Sequence, residues 1–337
     1  MRPQTESRPS RPLVSVVVIG RNEGERLRRC LSSIGALQPR DFDLETLYVD
    51  SNSSDGSPQC ASELGARVLE LRAERPSAAL GRNAGWCAAR GEFVLFLDGD
   101  TELHPDFLPH ALASMRDPHV AVVWGHRHEA RPEQSLYVRA LDLDWIYPPG
   151  PSEFCGGDAL MRRTVLAEVG GFDASLIAGE EPELCRRLRA RGYRIEHIDQ
   201  AMTRHDLAIT SFRAYWKRAF RAGHAYAEVA ARFAGSSDPL WQRDTRRNWL
   251  HGSALLALLP TLALASLWPW LLIPLLAAGA LLLQRSMHRC AWKAPDRRTR
   301  LLYAVHSHFQ KLPILAGQIS YWLNQQRARH SRLIEYK

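Results

Sequence analysis

The sequence predicts an α/β protein, with a doubly wound, mostly parallel sheet followed by a C-terminal region of apolar helices. Up to residue 124, short β-branched runs alternate with segments that have the 3.6-residue spacing of helices. Further on, residues 253–283 contain no charged side chain. Because 45% of the 337 residues are hydrophobic, the chain can fill a sizeable core, and this composition excludes a disordered protein.

The elements follow in a regular order after residues 1–11, a polar segment with Pro and Arg that is typical of a loose tail. Strands are predicted at residues 13–19, 45–49, 66–71, 93–97 and 120–124. Helices are predicted at residues 23–34, 53–64, 77–90, 105–115, 159–169, 181–191 and 207–234. This alternation indicates parallel strands with helices on both faces, and ligands bind such sheets beyond the carboxyl ends of the strands.

Three polar segments fall at such strand ends: GRNE at residues 20–23, DSNSSD at residues 50–55, and the DxD pair of Asp98 and Asp100. Side chains two residues apart in an extended chain lean to the same side, so the two aspartates can converge on one cation. Hard oxygen ligands of this kind suit Mg²⁺ or Mn²⁺. A simple Asp and Gly turn remains the alternative interpretation of this pair.

Other binding chemistries find less support in the sequence. Neither GxGxxG nor GxxxxGK[ST] follows any predicted strand, which argues against a glycine-rich phosphate cradle. The six cysteines include no CxxC pair, and the amino terminus lacks the apolar core of a secretory signal. We therefore expect reduced thiols in a cytosolic catalytic region, with no disulfide framework and no zinc site.

The positive charge is concentrated in the C-terminal region. From residue 240 onward there are 14 Lys or Arg against 3 acids, whereas the whole chain has a net charge of +8. This basic region surrounds the most apolar segment, an arrangement typical of a membrane surface and not of a nucleic-acid groove. The uncharged stretch contains three prolines and has basic flanks on both sides, which predicts a hairpin at about residues 251–284 with both ends on the cytoplasmic side. A buried helical pair is the alternative.

Five motifs occur in a defined order, and together they resemble the family 2 glycosyltransferases with a GT-A fold, of the membrane-associated bacterial type. They are GRNE, VDSNSSDGS at 49–57, GRNAG at 81–85, FLDGDT at 96–101 and GGFDASLIAGEEPELCRRLRARGYRI at 170–195. The resemblance covers roughly residues 12–235. It implies a glycosyltransferase domain over residues 12–240. The apolar and charge patterns described above predict a membrane-associated helical region over residues 241–337, including an amphipathic helix at about 300–323.

The resemblance also implies a role for each motif. The expected donor-binding residues are Asn22, Glu23, Asp50, Arg82 and Asp98. The Pro- and Gly-rich loop at residues 147–157 adds Asp158, expected close to donor or acceptor, with a plain connector as the alternative. The expected ligands of Mg²⁺ or Mn²⁺ are Asp98, Asp100 and His205. Arg82 would face the diphosphate, while His205 has an ordinary hydrogen-bonding role as its alternative.

The acidic motif, usually Glu-Asp in this family, is Glu180-Glu181 here. The resemblance makes Glu181 the catalytic base, with Glu180 as the alternative. For both, an acidic first helical turn that suits the macrodipole is the structural alternative.

The predicted function is therefore inverting, metal-dependent transfer of a sugar from a nucleoside diphosphate sugar to a lipid-linked acceptor. A base with no carboxylate nucleophile implies a single displacement. The expected setting is envelope glycan or exopolysaccharide synthesis on the cytoplasmic side of a membrane, without nucleic acid. Two alternatives stay open: a catalytically inactive nucleotide-binding membrane scaffold, and a sugar-phosphate nucleotidyltransferase.

Overall fold

The computed structural model describes residues 11–38, 41–176, 178–265, 268, 270 and 272–327. Almost all of the predicted N-terminal tail lies outside the described residues, as does part of the middle of the predicted hairpin at about residues 251–284.

The described residues contain one sheet of nine strands. The strands are β1 (Leu13–Gly20), β2 (Asp43–Asp50), β3 (Arg67–Glu70), β4 (Phe93–Asp98), β5 (Thr101–Leu103), β6 (Val120–Glu129), β7 (Gly150–Ser152), β8 (Ala159–Arg162) and β9 (Arg194–His205). Their order is β3-β2-β1-β4-β8-β6-β9-β5, and β7 pairs with β9.

Twelve α-helices connect and flank these strands in the described part of the chain. They are α1 (Glu25–Gly35), α2 (Ser57–Glu63), α3 (Ala78–Ala88), α4 (Phe107–Ser114), α5 (Leu136–Asp142), α6 (Arg163–Val169), α7 (Glu180–Ala190), α8 (Phe212–Arg232), α9 (Gln242–Ala265), α10 (Leu272–Arg289), α11 (Arg297–Phe309) and α12 (Lys311–Gln326).

The first half of the sheet is parallel, as the sequence predicts. Strand β1 pairs in parallel with β2 and β4, and β2 pairs in parallel with β3. In this register Gly20 lies beside Asp50, and Ile19 lies beside Asp98. The polar segments that follow β1, β2 and β4 therefore meet at one edge of the sheet.

The second half of the sheet is antiparallel, which corrects the expectation of a mostly parallel sheet. Strand β8 pairs antiparallel with β4 and β6, and β9 pairs antiparallel with β5 and β7. The helix predicted over residues 159–169 is also wrong in its first turn, because residues 159–162 form β8 and only Arg163–Val169 is helical. Leu160 and Met161 are buried in the centre of the sheet, where neither side of the strand faces water.

The prediction of a C-terminal membrane region is wrong. Among the helices that the structure describes, none is both long enough and apolar enough to cross a membrane. Helix α10 is apolar only as far as Leu283, and its last turns contain Arg285 and Arg289. Twelve apolar residues span about 18 Å, short of the roughly 30 Å of a hydrocarbon core.

The amphipathic helix predicted at about residues 300–323 consists of two helices, α11 and α12. The apolar side of α12, which includes Ile314, Leu315 and Tyr321, is buried within the protein. Gly317 lies so close to α8 that a Cβ there would be 2.0 Å from the carbonyl oxygen of Phe220. The apolar spacing of this segment therefore reflects helix-to-helix packing.

The described residues form two compact units. The first contains the residues up to Arg127, Pro148–Leu176 and Glu180–His205; the second contains His128–Tyr147, the residues just before Glu180, and the chain from Asp206 onward. All ten residues that the sequence analysis assigns to the site belong to the first unit. The predicted domain boundary at residue 240 stays a prediction.

Candidate active site

The ends of β1 and β2 are joined through Asn22. Its backbone N–H donates to Oγ of Ser53 at 2.8 Å, and its side-chain Oδ1 accepts from the backbone N–H of Ser54 at 2.8 Å. Asn22 has a φ of 55°, a left-handed conformation that asparagine tolerates better than most residues. The two segments predicted to line a nucleoside pocket are thus neighbours in space.

Asp50 lies at the bottom of this region. Its side chain is buried and accepts hydrogen bonds from the Tyr48 hydroxyl at 2.9 Å and from the Ser53 backbone N–H at 2.8 Å. A cavity of about 470 Å³ lies beside it, between the segment after β2 and the end of β3. Its wall includes Glu70 and Arg72, two residues that the sequence analysis did not single out.

Glu23, the other donor-binding candidate at the end of β1, forms an ion pair with Arg26 at 2.8 Å. Its side chain also lies against the turn that carries the DxD pair, because a Cβ on Gly99 would be 3.1 Å from Cγ of Glu23. The donor-binding roles of Asn22, Glu23 and Asp50 stay predictions.

The DxD pair and His205 form a cluster with the composition of a metal site. Strand β4 ends at Asp98, and Thr101 pairs with His205 across the β5–β9 ladder, which brings the imidazole back to the turn. Nε2 of His205 lies 3.3 Å from Oδ1 of Asp100. One ligand atom from each of Asp98, Asp100 and His205 lies within 4.8 Å of the others. Two carboxylate oxygens and an imidazole nitrogen are suitable donors for Mn²⁺, and carboxylates also suit Mg²⁺.

Arg82 connects this cluster to the acidic motif. Its guanidinium is 2% exposed and lies 3.0 Å from Oδ1 of Asp98, 2.8 Å from Oε1 of Glu180 and 3.0 Å from Oε1 of Glu181. Burial alone would lower the pKa of Arg82, but the carboxylates, Glu181 first, raise it above its ordinary value. In the structure Arg82 therefore holds carboxylates together, and its predicted contact with a diphosphate stays a prediction.

Two glycines allow Arg82 to occupy this position. Helix α3 approaches β1 closely at Gly85, where a Cβ would be 2.2 Å from Cγ1 of Val17. At Gly157 a Cβ would be 2.5 Å from Nη2 of Arg82 and 2.9 Å from Oδ2 of Asp98. A side chain at either position would push α3 or the guanidinium away from the site.

The two glutamates of the acidic motif differ in their access to solvent. Both lie in the first turn of α7, where negative charge is favourable. The side chain of Glu180 is 5% exposed and that of Glu181 is 17% exposed. Because a general base must reach the acceptor, the geometry is more suitable for Glu181, although its catalytic role stays a prediction.

Asp158 lies behind the metal cluster. Its Oδ1 accepts from the backbone N–H of Asp98 at 3.0 Å and its Oδ2 accepts from the hydroxyl of Thr203 at 2.9 Å. The residue is 2% exposed, and burial, followed by the charge of Asp98, raises the pKa of its carboxyl. Whether it contacts a donor stays a prediction.

Sequence reasoning missed Thr203 and Arg127 at this site. Arg127 is largely buried, and its guanidinium lies 5.3 Å from the centre of the Trp124 ring. The Arg127 guanidinium leaves no room for a side chain at Gly156, because a Cβ there would be 1.9 Å from Nη1 of Arg127. The consecutive glycines before Asp158 were the available clue, because they permit two buried guanidinium groups to approach the backbone.

Comparison with known proteins identifies relatives of this chain. In the Pre-mycofactocin glycosyltransferase of Mycobacterium tuberculosis H37Rv, 255 aligned residues are 29% identical and cover 71% of this chain and 52% of the relative. In the Beta-monoglucosyldiacylglycerol synthase of Trichormus variabilis, 229 aligned residues are 24% identical and cover 63% of this chain and 48% of the relative. The chain thus spans about half the length of these relatives.

A solved structure has the same fold. The mannosyltransferase PcManGT from Pyrobaculum calidifontis, in complex with GDP-Man and Mn²⁺, superimposes with a TM-score of 0.66 at 21% identity, over 94% of this chain and 89% of that one. This likeness confirms the GT-A-like sheet. The family profile Glycosyl transferase family 2 matches residues 15–170, and Glycosyl transferase family group 2 matches residues 93–284, more than half of the chain. The chain belongs to the family 2 glycosyltransferases.

Proposed function

We propose that the protein transfers a sugar, with inversion, from a nucleoside diphosphate sugar to an acceptor hydroxyl, with the help of a divalent metal ion. The observation that carries the proposal is the position of the Arg82 guanidinium, 3.0 Å from both Asp98 and Glu181. It unites a candidate metal ligand and a candidate base in one site. Glycosyl transfer needs both groups close to the same anomeric carbon.

Asp98, Asp100 and His205 would hold the metal ion. Their ligand atoms lie within 4.8 Å of one another, and their chemistry fits Mn²⁺ or Mg²⁺. When bound, such an ion neutralises the charge that develops on a departing diphosphate. We favour Mn²⁺ because an imidazole completes the cluster, and because the structure of PcManGT contains Mn²⁺.

Glu181 would accept the proton of the acceptor hydroxyl as the new glycosidic bond forms. Arg82 keeps the Glu181 carboxylate in place through the contact at 3.0 Å. A single base at the acceptor side, with the leaving diphosphate on the other side of the sugar, gives a product of inverted anomeric configuration.

The donor's nucleoside would occupy the cavity of about 470 Å³ beside Asp50. Asn22, through its hydrogen bonds to Ser53 and Ser54, would fix the shape of its rim. For the acceptor we propose a lipid or a lipid-linked glycan of envelope or exopolysaccharide synthesis. The name of the Trichormus relative, a glucosyldiacylglycerol synthase, supports a lipid.

The test is release of free nucleoside diphosphate from a panel of UDP- and GDP-sugars, with lipid extract as acceptor. Each donor is measured with Mn²⁺, with Mg²⁺ and with a chelator, for the wild type and Asp100→Asn. As a matched control, Asp106→Asn changes an exposed carboxylate at the start of α4. We expect release from one nucleotide class, stimulated by metal and reduced at least 100-fold in Asp100→Asn.

Three outcomes would contradict the proposal. Equal release of nucleoside diphosphate with and without a chelator would show that the reaction does not need a metal ion. Release of pyrophosphate would indicate a nucleotidyltransferase. Nucleotide binding without turnover of any donor would indicate an inactive scaffold.

A further inference from the structure

The carboxylate of Asp158 lies between the two parts of the chain that carry the metal cluster. One oxygen accepts the backbone N–H of Asp98, the last residue of β4. The other accepts the hydroxyl of Thr203, which is two residues before His205 on β9. Both Asp158 and Thr203 are almost fully buried, at 2% and 3% exposure.

This arrangement matters because β4 and β9 are not neighbours in the sheet. Strands β8 and β6 lie between them in the order β4-β8-β6-β9. Asp98 and His205 are therefore not partners in one ladder, and the β5–β9 ladder holds His205 opposite Thr101, three residues after Asp98. The bridge from the Asp98 backbone through Asp158 to Thr203 connects the two strands directly, at the end where the cluster forms.

We propose that Asp158 is a positioning residue that, together with Thr203, sets the spacing between Asp98 and His205 and thereby the affinity for a divalent cation. This replaces the donor contact that the sequence predicts for Asp158, and it rests on the metal site of the proposed function. Groups behind metal ligands commonly change metal affinity 10- to 100-fold when they are replaced.

The chemistry explains why an aspartate is needed. A carboxylate offers an acceptor oxygen to each of the two donors. An asparagine has only one carbonyl oxygen, so its NH₂ group faces either the Asp98 N–H, which is a clash of donors, or the Thr203 hydroxyl, which must then rotate to accept. Both choices change the spacing that the bridge fixes.

The test measures Mn²⁺ binding directly, without donor or acceptor, by the electron paramagnetic resonance signal of free Mn²⁺. The variants are Thr203→Val, which removes the hydroxyl and keeps the shape, Thr203→Ser, which restores a hydroxyl, and Asp158→Asn. Thr46→Val on β2 is the matched control in the same sheet. Stability in urea and binding of nucleoside diphosphate in the presence of a chelator are measured alongside.

We expect Thr203→Val to weaken Mn²⁺ binding about three- to tenfold and Asp158→Asn about tenfold or more, while Thr203→Ser and Thr46→Val stay within about twofold. The double variant, with Thr203→Val and Asp158→Asn together, should weaken Mn²⁺ binding by less than the product of the two single factors, because both changes break the same bridge.

The inference is overturned if Thr203→Val and Asp158→Asn bind Mn²⁺ like the wild type, whatever their stability. It is also overturned if Asp158→Asn weakens metal-free nucleotide binding and leaves Mn²⁺ binding unchanged, because that is the signature of a donor contact. A wild type that binds no Mn²⁺ overturns this inference and the proposed metal site together. A wild type that binds Mn²⁺ but turns over no donor contradicts the proposed function alone.

Discussion

Each of the two compact units contains a group of ionisable side chains around a buried residue, Arg82 in the first and His306 in the second, and the two groups differ in composition. In the first unit, carboxylates from β4 and α7 share the guanidinium of Arg82. In the second unit, the single carboxylate of Asp144 accepts from the Tyr303 hydroxyl at 2.9 Å and faces Nε2 of His306 at 3.3 Å. Nδ1 of the same imidazole is 2.8 Å from the Tyr215 hydroxyl.

The difference shows which group can bind a cation. Carboxylates that crowd around one guanidinium repel one another, so additional positive charge is favourable there. A lone carboxylate with hydrogen-bond donors on both oxygens gains little from a further cation. We therefore interpret the Arg82 group as part of a site and the Asp144 group as a structural connection between α11, α8 and the segment after α5.

The largest effect on stability is expected for Arg82→Met, which leaves three neighbouring carboxylates without their shared cation. Because Arg82 is 2% exposed, we expect a loss of about 3–5 kcal/mol in the free energy of unfolding. The measurement is urea denaturation followed by circular dichroism. Arg28→Met, which breaks the exposed ion pair with Glu25, is the matched control and should cost less than about 1 kcal/mol.

Equal losses in Arg82→Met and Arg28→Met would contradict the interpretation of Arg82 as the shared cation of three carboxylates. If Arg82→Met does not fold, Arg82→Lys serves in its place. It keeps the charge but cannot donate to Asp98 and Glu180 at once in a planar fork, so an intermediate loss is expected.

A smaller effect is expected for Asp144→Asn. Burial alone would raise the pKa of Asp144. The hydrogen bond from His306, the positive charge of that imidazole and the hydrogen bond from the Tyr303 hydroxyl instead lower the pKa below its ordinary value. A carboxyl whose pKa is lower in the folded state stabilises the protein above its unfolded pKa of about 3.9, and this contribution is lost as the pH falls through the folded pKa.

We therefore expect Asp144→Asn to cost about 1–2 kcal/mol at pH 7, a modest figure because the side chain of Asp144 is 28% exposed. The difference from the wild type should shrink below pH 4. Urea denaturation at pH 7, 5 and 3 measures it. A difference that grows in acid would show that Asp144 is not held in its charged form. Unchanged Mn²⁺ binding is the second expected result.

The sequence predicts the parallel half of the sheet well, and for a physical reason. Strand β1 is buried on both faces, so it is apolar at almost every position, and α1 buries Leu27, Cys30, Leu31 and Ile34 at helical spacing. Local patterns of this kind are visible without knowledge of the fold. The polar segments that end β1, β2 and β4 could accordingly be placed at one edge of the sheet.

The antiparallel half is less visible in the sequence. Strand β8 has four residues, and its apolar ALM continues into a helix, so its spacing does not separate strand from helix. The role of Thr203 depends on a bridge to Asp158 over a separation of 45 residues, which no local pattern indicates. The leucine-rich C-terminal segments predict membrane helices by composition, but composition does not show where each helix begins and ends, and none of the described helices is both long and apolar enough to cross a membrane.

The most direct test of the central claim is to measure turnover and Mn²⁺ affinity together in Glu181→Gln, with Glu180→Gln beside it. If Glu181 is the base and the aspartates and His205 hold the metal, Glu181→Gln should lower kcat about 100- to 10,000-fold and leave the Kd for Mn²⁺ within about twofold. Glu180→Gln, at the more buried position, should lower stability more and kcat less. A Glu181→Gln enzyme that keeps its kcat would contradict the account.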